Sequence, residues 1–386
     1  MTYYFDHNAT TPLSEAVITC LSRVLRECYG NPSSIHSAGQ AARQEVESAR
    51  GQVAALLNAD PREIVFTSGG TESDNLAVLG AVRSGGTAGK HVITTAIEHP
   101  AVLGACAQLV REGAEVTFLK VSGDGVVDPD EVRRALRSST ALISVMHANN
   151  ETGAIQPIEE ISVIARAAGV WFHCDGVQAA GRLGADVQAL GVDLYSLSAH
   201  KLNASKGAGA LFVRKGVNLQ ALQFGGRHER ERRGGTENVP GIAALGCAAE
   251  QLQLHCAAES PRLAALRDRL ELNIIEHVPA VTVNSGSAAR LPNTASLRFD
   301  GIEGEALVIA LDLTGFAVSS GAACSSGAVE PSHVLLAMGL TPSEARASIR
   351  FSLGQGNDEA QVDALAAAVA GSVARLRKLS PVYQHA

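Results

Sequence analysis

The stretch EIVFTSGGTESDNLAVLGAVR (63–83) joins an apolar, β-branched run to a Gly-Gly-Thr turn and then to an alanine-rich helical segment. The stretch HVITTAIEHPAVLGACAQLVREG (91–113) repeats the same order of strand, polar turn and helix. Strands that alternate with helices in this way predict βα units around a mostly parallel sheet that is covered by helices. We therefore expect an α/β fold.

Five further strand candidates bring the total to seven, and each is followed by a polar or glycine-containing turn: EVTFLKV (115–121), ALISVMHA (141–148), VWFHCD (170–175), VDLYSLS (192–198) and GALFVRK (209–215). Most of the polar residues of interest come directly after these strands. In open α/β sheets, ligands bind in the crevice beyond the carboxyl ends of the strands. The sequence therefore predicts a ligand site at that edge of the sheet.

A domain boundary is predicted near residue 260. The segment 240–278 has the composition of long helices, and we expect an interruption near Ser260 and Pro261 because proline removes a helical hydrogen bond. Residues 14–260 are predicted to form a large domain, and residues 1–13 together with 261–386 a smaller α+β domain. The smaller domain would end in an alanine-rich helix.

Composition and charge argue against several classes of protein. The chain has 386 residues, 46% of them hydrophobic, and a formal net charge of −7 without any run of lysine and arginine, so direct nucleic-acid binding is not expected. The start of the chain lacks a signal-peptide pattern, and no stretch reaches the roughly 20 apolar residues of a membrane helix. The seven cysteines include no CxxC pair, so we expect neither disulfides nor a metal site, and place the protein in the cytoplasm.

SAHK (198–201) closes a strand candidate and places Lys201 at its end. A lysine that forms a Schiff base must be deprotonated to attack an aldehyde, and this requires a desolvated pocket. Alone, Lys201 is weak evidence, since a lysine in a loop is far more often a solvated charge. Its interpretation depends on the groups that follow the other strands.

Groups that suit a phosphorylated pyridine ring follow three other strands. Gly70 and Thr71 open a helix, where free amides and a hydroxyl can bind a phosphate; alternatively, Thr71 is an ordinary helix cap. Asp175 is placed to pair with a pyridinium nitrogen, or else is a turn residue. His99 could stack on the ring and relay protons, although a lone histidine after a strand is more often structural.

Other polar residues suit an anionic ligand. The turn MHANNETG (146–153) has more hydrogen-bonding groups than a tight turn needs: Asn149, Asn150 and Glu151. Arg350 lies in an apolar strand where an unpaired guanidinium is costly, so its partner is either a substrate carboxylate or a structural Asp or Glu. The loop GGRHERERRGGTEN (225–238) is either an anion site or a solvated charged loop, with these candidates: Arg230, Arg232, Arg233 and Thr236.

Cys324 lies in VSSGAACSSGAVEP (318–331), a segment of small residues with little to bury a thiol. The other six cysteines have apolar or helical surroundings, in which a cysteine is usually inert. A reactive thiol in an exposed, mobile segment is therefore the better interpretation of Cys324. Its nucleophilic form is the thiolate, so nearby cations or a proton acceptor must assist it near neutral pH.

Taken in order, these segments resemble the NifS/IscS-type cysteine desulfurases of the class V aminotransferase family. The resemblance runs from Tyr4 to Gly354 and rests on twelve segments: YFDHNATTP, GNPSSIH, FTSGGTES, EHPAVL, MHANNETGAIQPI, DGVQAAGRL, SLSAHK, KGAGALFVRK, GTEN, SSGAACSSG, EPSHVLLAMG and IRFSLG. It implies fold type I of the enzymes that use pyridoxal 5'-phosphate (PLP). It also implies a homodimer with both active sites near the subunit interface.

The resemblance assigns a role to each candidate. Lys201 would hold PLP, Cys324 would take sulfur from L-cysteine as a persulfide, and His99 would stack on the ring and move protons. The other expected contacts are with the phosphate (Gly70, Thr71, Ser198, His200 and, from the other subunit, Thr236), with the ring (Asp175 at its nitrogen, Gln178 at its oxygen) and with the substrate carboxylate (Asn150 and Arg350). Asn150 is also a candidate cofactor contact, and Asn8 a candidate substrate contact.

One departure from the family pattern is Ser205 in LNASKG (202–207), where proline is common, so this loop is expected to be less rigid. The resemblance implies that the persulfide passes to an acceptor protein such as an iron–sulfur scaffold. Three alternatives stay open because a fold does not fix a reaction: a selenocysteine lyase, another class V transferase, and a scaffold that binds sulfur-carrier partners without turnover.

Overall fold

A computed structural model describes residues 2–85, 89–320 and 330–379. The strands are β1 (Tyr3–Tyr4), β2 (Ile64–Thr67), β3 (His91–Thr95), β4 (Glu115–Leu119), β5 (Thr140–Ser144), β6 (Trp171–Asp175), β7 (Leu194–Ser198), β8 (Gly209–Val213), β9 (Val281–Val283), β10 (Thr294–Phe299), β11 (Phe316–Ala317) and β12 (Ser348–Ser352). All seven strand candidates between residues 63 and 215 are confirmed.

The helices of the described residues alternate with the strands from β2 to β7 and occur on both sides of that part of the chain. They are α1 (Glu15–Glu27), α2 (Ser37–Leu57), α3 (Gly70–Arg83), α4 (Pro100–Arg111), α5 (Pro129–Ala135), α6 (Ile158–Ala168), α7 (Val187–Leu190), α8 (Val239–His277), α9 (Gly304–Asp312), α10 (His333–Ala337), α11 (Pro342–Arg346) and α12 (Glu359–Leu379). Within the described ranges, no helix is both long and apolar enough to cross a membrane.

The main sheet has seven strands in the order β2-β8-β7-β6-β5-β3-β4. Its strands pair in parallel except for β8, which is antiparallel to both β2 and β7. Every residue of β3, β5, β7 and β8 is buried, as expected for strands covered by helices on both faces. The predicted α/β fold with a mostly parallel sheet is therefore confirmed, and the carboxyl ends of β2, β3, β5, β6 and β7 share one edge.

A second, smaller layer follows the main sheet in the chain. It contains an antiparallel sheet of order β12-β10-β9, and β1 pairs in parallel with β11 nearby. The buried Phe5 side chain packs with the apolar residues of this layer, which include Leu297 and Phe351. The N-terminal strand thus joins the C-terminal part of the fold, while the division at residue 260 stays a prediction.

Helix α8 corrects one expectation. The predicted interruption near Ser260 and Pro261 is wrong, because α8 runs without a break from Val239 to His277 with Pro261 inside it. The two ends of α8 pack into different apolar clusters, with Leu245 in the core of the main sheet and Leu270 in the core of the smaller layer. Packing at both ends explains why the loss of one backbone hydrogen bond at proline does not end the helix.

A buried ion pair fixes the charged loop 225–238 to the main sheet. The Arg50 guanidinium donates two hydrogen bonds of 2.8 Å to the Glu229 carboxylate, which also accepts a hydrogen bond from the amide of Phe66 in β2. Glu229 has a left-handed backbone, with φ of 45°, a conformation that is costly for a residue other than glycine. The ion pair therefore holds the loop in a conformation that local preferences do not favour.

We expect Glu229→Ala to destabilise the protein by about 3–5 kcal/mol, because among the described residues it leaves the buried Arg50 guanidinium with only the longer ion pair to the exposed Glu47 carboxylate. Urea unfolding measures this change. The matched control is Glu231→Ala in the same loop, whose carboxylate pairs with the exposed Arg227 side chain. That control should change the free energy of unfolding by less than about 0.5 kcal/mol. Equal losses in the two variants would contradict a special role for the buried pair.

Candidate active site

A cavity of about 370 Å³ opens at the carboxyl edge of the main sheet. It brings together eleven of the residues that the sequence singled out: Asn8, Gly70, Thr71, His99, Asn150, Asp175, Gln178, Ser198, His200, Lys201 and Arg350. Two of the residues to which the resemblance assigns a role are not among them. Thr236 is exposed and outside the lining, and Cys324 lies outside the described residues.

Lys201 lies in a short 3₁₀ turn, Ala199–Lys201, directly after β7. Its Nζ atom donates hydrogen bonds to two backbone carbonyls, those of Asn8 at 2.5 Å and Ala9 at 2.7 Å. Both acceptors are uncharged, so neither supplies the negative charge that would pair with an ammonium group. Burial, and then the nearby Arg350 and Arg182 guanidinium groups, lower the pKa of Lys201 to about 7. A neutral, nucleophilic amine is thus present near neutral pH.

The N-terminus of α3 faces the cavity without a side-chain cap. Its N-cap residue is Gly69, so the alternative in which Thr71 caps the helix is wrong, and Thr71 lies inside the first turn. Free amides at a helix N-terminus attract anions such as phosphate. A Cβ atom on Gly70 would approach the Val177 side chain to 2.9 Å, which is shorter than a normal van der Waals contact. Glycine is therefore needed at this point of the cavity wall.

Asp175 ends β6, and its carboxylate lies buried in the cavity. One oxygen accepts a hydrogen bond from the amide of Val177 at 3.0 Å. Burial raises the pKa of Asp175, and the neighbouring His99 ring opposes that rise. A buried carboxylate at this position favours a ligand that brings a positive charge.

His99 is both a cavity residue and the N-cap of α4. Its Nδ1 atom accepts a hydrogen bond from the amide of Ala101 at 3.1 Å. Burial lowers the pKa of His99, so the neutral ring is favoured. Because Nδ1 accepts, the neutral ring carries its proton on Nε2. The structural and the functional interpretations of His99 therefore describe the same ring, which is held by one nitrogen and free to act through the other.

Arg350 has the structural carboxylate partner that the sequence left open. Its Nη2 donates to the Asp6 carboxylate at 2.7 Å and its Nη1 donates to the Asn150 carbonyl at 3.0 Å. The Nε atom is buried and has no hydrogen-bond partner within the part of the chain that the structure describes. The Asp6 ion pair thus leaves part of the guanidinium available to a ligand in the cavity.

The remaining cavity residues are neutral donors and acceptors. Gln178 donates through Nε2 to the Asn8 carbonyl at 3.0 Å, and its buried Oε1 has no partner among the described residues. His200 contacts the Thr10 hydroxyl at 3.2 Å through Nδ1, and burial lowers its pKa to about 4. Outside the cavity, the buried Ser205 hydroxyl also lacks a partner in the described ranges.

The arginines of the loop 225–238 point elsewhere. Arg233 forms an ion pair with Glu72 at 2.9 Å, and Arg230 donates to the carbonyl of Arg62. None of Arg230, Arg232 and Arg233 lines the active-site cavity within the described chain. The loop is therefore neither a simple solvated segment nor part of this cavity in a single copy of the chain.

Comparison with known proteins identifies the family. The aminotransferase class-V family model matches residues 3–365. The chain belongs to this family. It is 49% identical over 384 residues to the cysteine desulfurase IscS of Anaeromyxobacter sp. (strain Fw109-5), which covers 99% of this chain and 95% of that protein. It is 47% identical over 378 residues to the cysteine desulfurase of Trichormus azollae, covering 98% of this chain and 94% of that relative.

Solved structures agree with this assignment. A NifS-like protein superposes with a TM-score of 0.91 at 35% identity, and the match covers 97% of this chain and 100% of the other. SspA in complex with cysteine superposes with a TM-score of 0.81 at 36% identity, covering 91% and 99%. The chain is thus a class-V aminotransferase of the NifS/IscS-type cysteine desulfurase group, and the resemblance read from the sequence is confirmed.

The residues of this class-V enzyme fit PLP. The uncapped N-terminus of α3 suits a phosphate, and the buried Asp175 carboxylate suits a ring nitrogen. The buried Oε1 atom of Gln178 has no partner among the described residues and suits a hydrogen-bond donor of the ligand. Sequence reasoning missed two acidic residues here. Asp6 pairs with Arg350 across 344 positions, which no local pattern signals. Asp74 lines the cavity, and its position four residues after Gly70 on α3 could have placed it on the same helix face.

The two roles of His99 can be separated by substitution. His99→Asn keeps a side-chain acceptor at the N-cap of α4, so its free energy of unfolding should stay within about 0.5 kcal/mol of the parent, whereas His99→Ala should lose about 1 kcal/mol. Both variants should lose most of the catalytic turnover, because both lack the imidazole ring. Urea unfolding and product assays measure the two effects. Full turnover in His99→Asn would show that the imidazole is not needed.

Proposed function

We propose that this enzyme is a PLP-dependent cysteine desulfurase that converts L-cysteine to L-alanine and leaves the sulfur on Cys324 as a persulfide. The observation that carries the proposal is the buried Lys201 amine, whose pKa is lowered to about 7 in a cavity that also contains Asp175 and His99. Relatives with the name cysteine desulfurase, and the similarity to SspA in complex with cysteine, support the same reaction.

Residues at the carboxyl ends of β2, β3, β6 and β7 would hold the cofactor. The Lys201 amine would bind it covalently, the N-terminus of α3 with Ser198 and His200 would hold its phosphate, and Asp175 would pair with its ring nitrogen. When bound, PLP supplies an electron sink that stabilises negative charge at the substrate Cα atom. Gln178 and His99 would fix the orientation of the ring.

The enzyme's own groups account for substrate binding and proton transfer. Arg350 and Asn150 would bind the carboxylate of L-cysteine, with the Asn8 loop next to them. The Lys201 Nζ atom would accept the Cα proton, and the His99 ring would accept or donate a proton at the sulfur through its Nε2 atom. Neutral Lys201 and neutral His99 are the forms that can accept a proton, and His99 must first gain a proton before it can donate one.

The sulfur transfer balances without a further reactant. The Cys324 thiolate attacks Sγ of the substrate, so that a sulfur–sulfur bond forms while the Cβ–Sγ bond breaks, and Cβ then receives a proton. L-Cysteine and the Cys324 thiol thereby yield L-alanine and the Cys324 persulfide. We propose that the outer sulfur passes to an acceptor protein such as an iron–sulfur scaffold.

We further propose a cytoplasmic homodimer. The six cysteines among the described residues are all free thiols, which suits a reducing compartment. The exposed Thr236 lies outside the lining of this copy's cavity, in a loop that is anchored by the Arg50–Glu229 ion pair, and is therefore open to contact with a second copy. In that arrangement Thr236 would complete the phosphate site of the other subunit.

The amine of Lys201 should capture PLP at an unusually low pH. Only a neutral amine attacks an aldehyde, so the rate of covalent PLP capture by cofactor-free protein should rise with pH and level off above about 7 rather than near 10.5. Borohydride trapping followed by peptide mass spectrometry measures both the rate and the site. A rate that still rises above pH 10, or labelling at the nearby Lys206 instead, would contradict the assignment.

The role of Cys324 is tested by Cys324→Ala. The variant should bind PLP normally, form no persulfide, and release alanine at least about 10³-fold more slowly, as expected for loss of a nucleophile. Mass spectrometry of the alkylated protein and alanine analysis provide the two readouts. The control is Cys20→Ala, a partly buried cysteine of α1, which should keep both. Alanine release at the parent rate by Cys324→Ala would overturn this step.

A further inference from the structure

A second cavity, of about 90 Å³, shares Lys201 with the active site. Lys201 is the one residue that lines both cavities in the described chain. The other walls of the second cavity come from the N-terminal loop, from α8 and from the segment after β6, and include His7, Gln251 and Arg182. No step of the proposed desulfurase reaction uses this second cavity, which we call the Arg182 cavity.

Arg182 is a buried cation without a carboxylate. Its side chain is buried, with 7% of the residue exposed, and its hydrogen bond to the described residues is a long one, from Nη1 to the Lys201 carbonyl at 3.4 Å. The other three buried arginines of the described residues are better satisfied: Arg50 by Glu229, Arg350 by Asp6, and Arg377 by three backbone carbonyls. An uncompensated buried charge is costly, so a counter-charge is expected at Arg182.

The free edge of the Arg182 guanidinium has the geometry of an oxyanion site. Its Nε and Nη2 atoms share one edge and make no hydrogen bond to the described part of the chain. This edge can bind two oxygens of one oxyanion. Burial lowers the pKa of Arg182 to about 10, so the side chain remains a cation at neutral pH.

The rest of the lining is compatible with an anion. Glu259 brings a carboxylate to the wall, but Arg262 holds it with two hydrogen bonds, of 2.6 and 2.9 Å. The Nδ1 atom of His7 is buried without a partner among the described residues, and the amide of Gln251 adds a further polar group to the wall. The acidic group of this wall is thus already neutralised by a neighbour.

We infer that the Arg182 cavity binds a small inorganic oxyanion. One water needs about 10–15 Å³ of such space, so the cavity has room for a handful of waters or for one tetrahedral oxyanion, and it is too small for PLP together with its phosphate. The ligand would lie against the guanidinium edge of Arg182, next to the backbone of Lys201. The inference does not depend on the reaction proposed for the active site.

The test is calorimetric titration of the PLP-loaded enzyme with sodium sulfate, with sodium chloride adjusted to keep the ionic strength constant. We expect saturable binding of one sulfate per chain. Arg182→Gln should weaken this binding by at least about tenfold, the factor for losing a hydrogen bond to a charged group. The bound cofactor would fill the phosphate site near α3, and loss of binding in Arg182→Gln would separate sulfate in the Arg182 cavity from sulfate at Arg350.

A second pair of variants keeps the test decisive if Arg182→Gln does not fold. Gln251→Glu brings a carboxylate into the cavity and should abolish sulfate binding by neutralising Arg182. Gln253→Glu adds the same charge at an exposed position of α8 outside the lining and should bind sulfate like the parent. Absence of saturable binding in the parent, or equal binding in Gln251→Glu and Gln253→Glu, would overturn the inference.

Discussion

The Lys201 amine is held by two backbone carbonyls in a buried cavity, and the rest of the active site depends on this arrangement. A carboxylate in contact with Nζ would keep the amine charged, whereas the carbonyls of Asn8 and Ala9 fix its position without placing a negative charge beside it. Both carbonyls belong to the N-terminal loop that follows β1. The position of the amine is therefore set by a contact between the turn after β7 and the N-terminal loop. These two segments are more than 190 positions apart in the chain.

That N-terminal loop links the two layers of the fold. The Asn8 amide donates to the Ser352 hydroxyl of β12, its side chain donates to the Thr294 hydroxyl of β10, and its carbonyl accepts from Gln178 as well as from Lys201. Asp6 adds the ion pair with Arg350. A displacement of the smaller layer would consequently move the groups that surround the amine. This explains how a site at the edge of one sheet includes an arginine from another.

Sequence patterns predicted the local secondary structure and the residues that follow each strand, but they missed contacts between residues far apart in the chain. The seven strands were predictable because buried parallel strands are short apolar runs, and most cavity residues were predictable because they follow those strands directly. The Asp6–Arg350 and Arg50–Glu229 ion pairs join residues that are 344 and 179 positions apart, so neither leaves a local signal. Helix α8 was divided wrongly because proline is a local signal, while the packing that keeps the helix continuous is not.

Desolvation acts on both signs of charge in this cavity. Burial lowers the pKa of Lys201, His99 and His200 and raises the pKa of Asp175, so acids and bases are both shifted toward their neutral forms. A ligand with a phosphate, a ring nitrogen and a carboxylate would meet oriented polar groups in this cavity. Because water is largely excluded, the electrostatic interactions with these groups are only weakly screened. The same reasoning applies to Arg182, with the difference that guanidinium remains charged when buried. Charge therefore has to be balanced there by a bound anion rather than by loss of a proton.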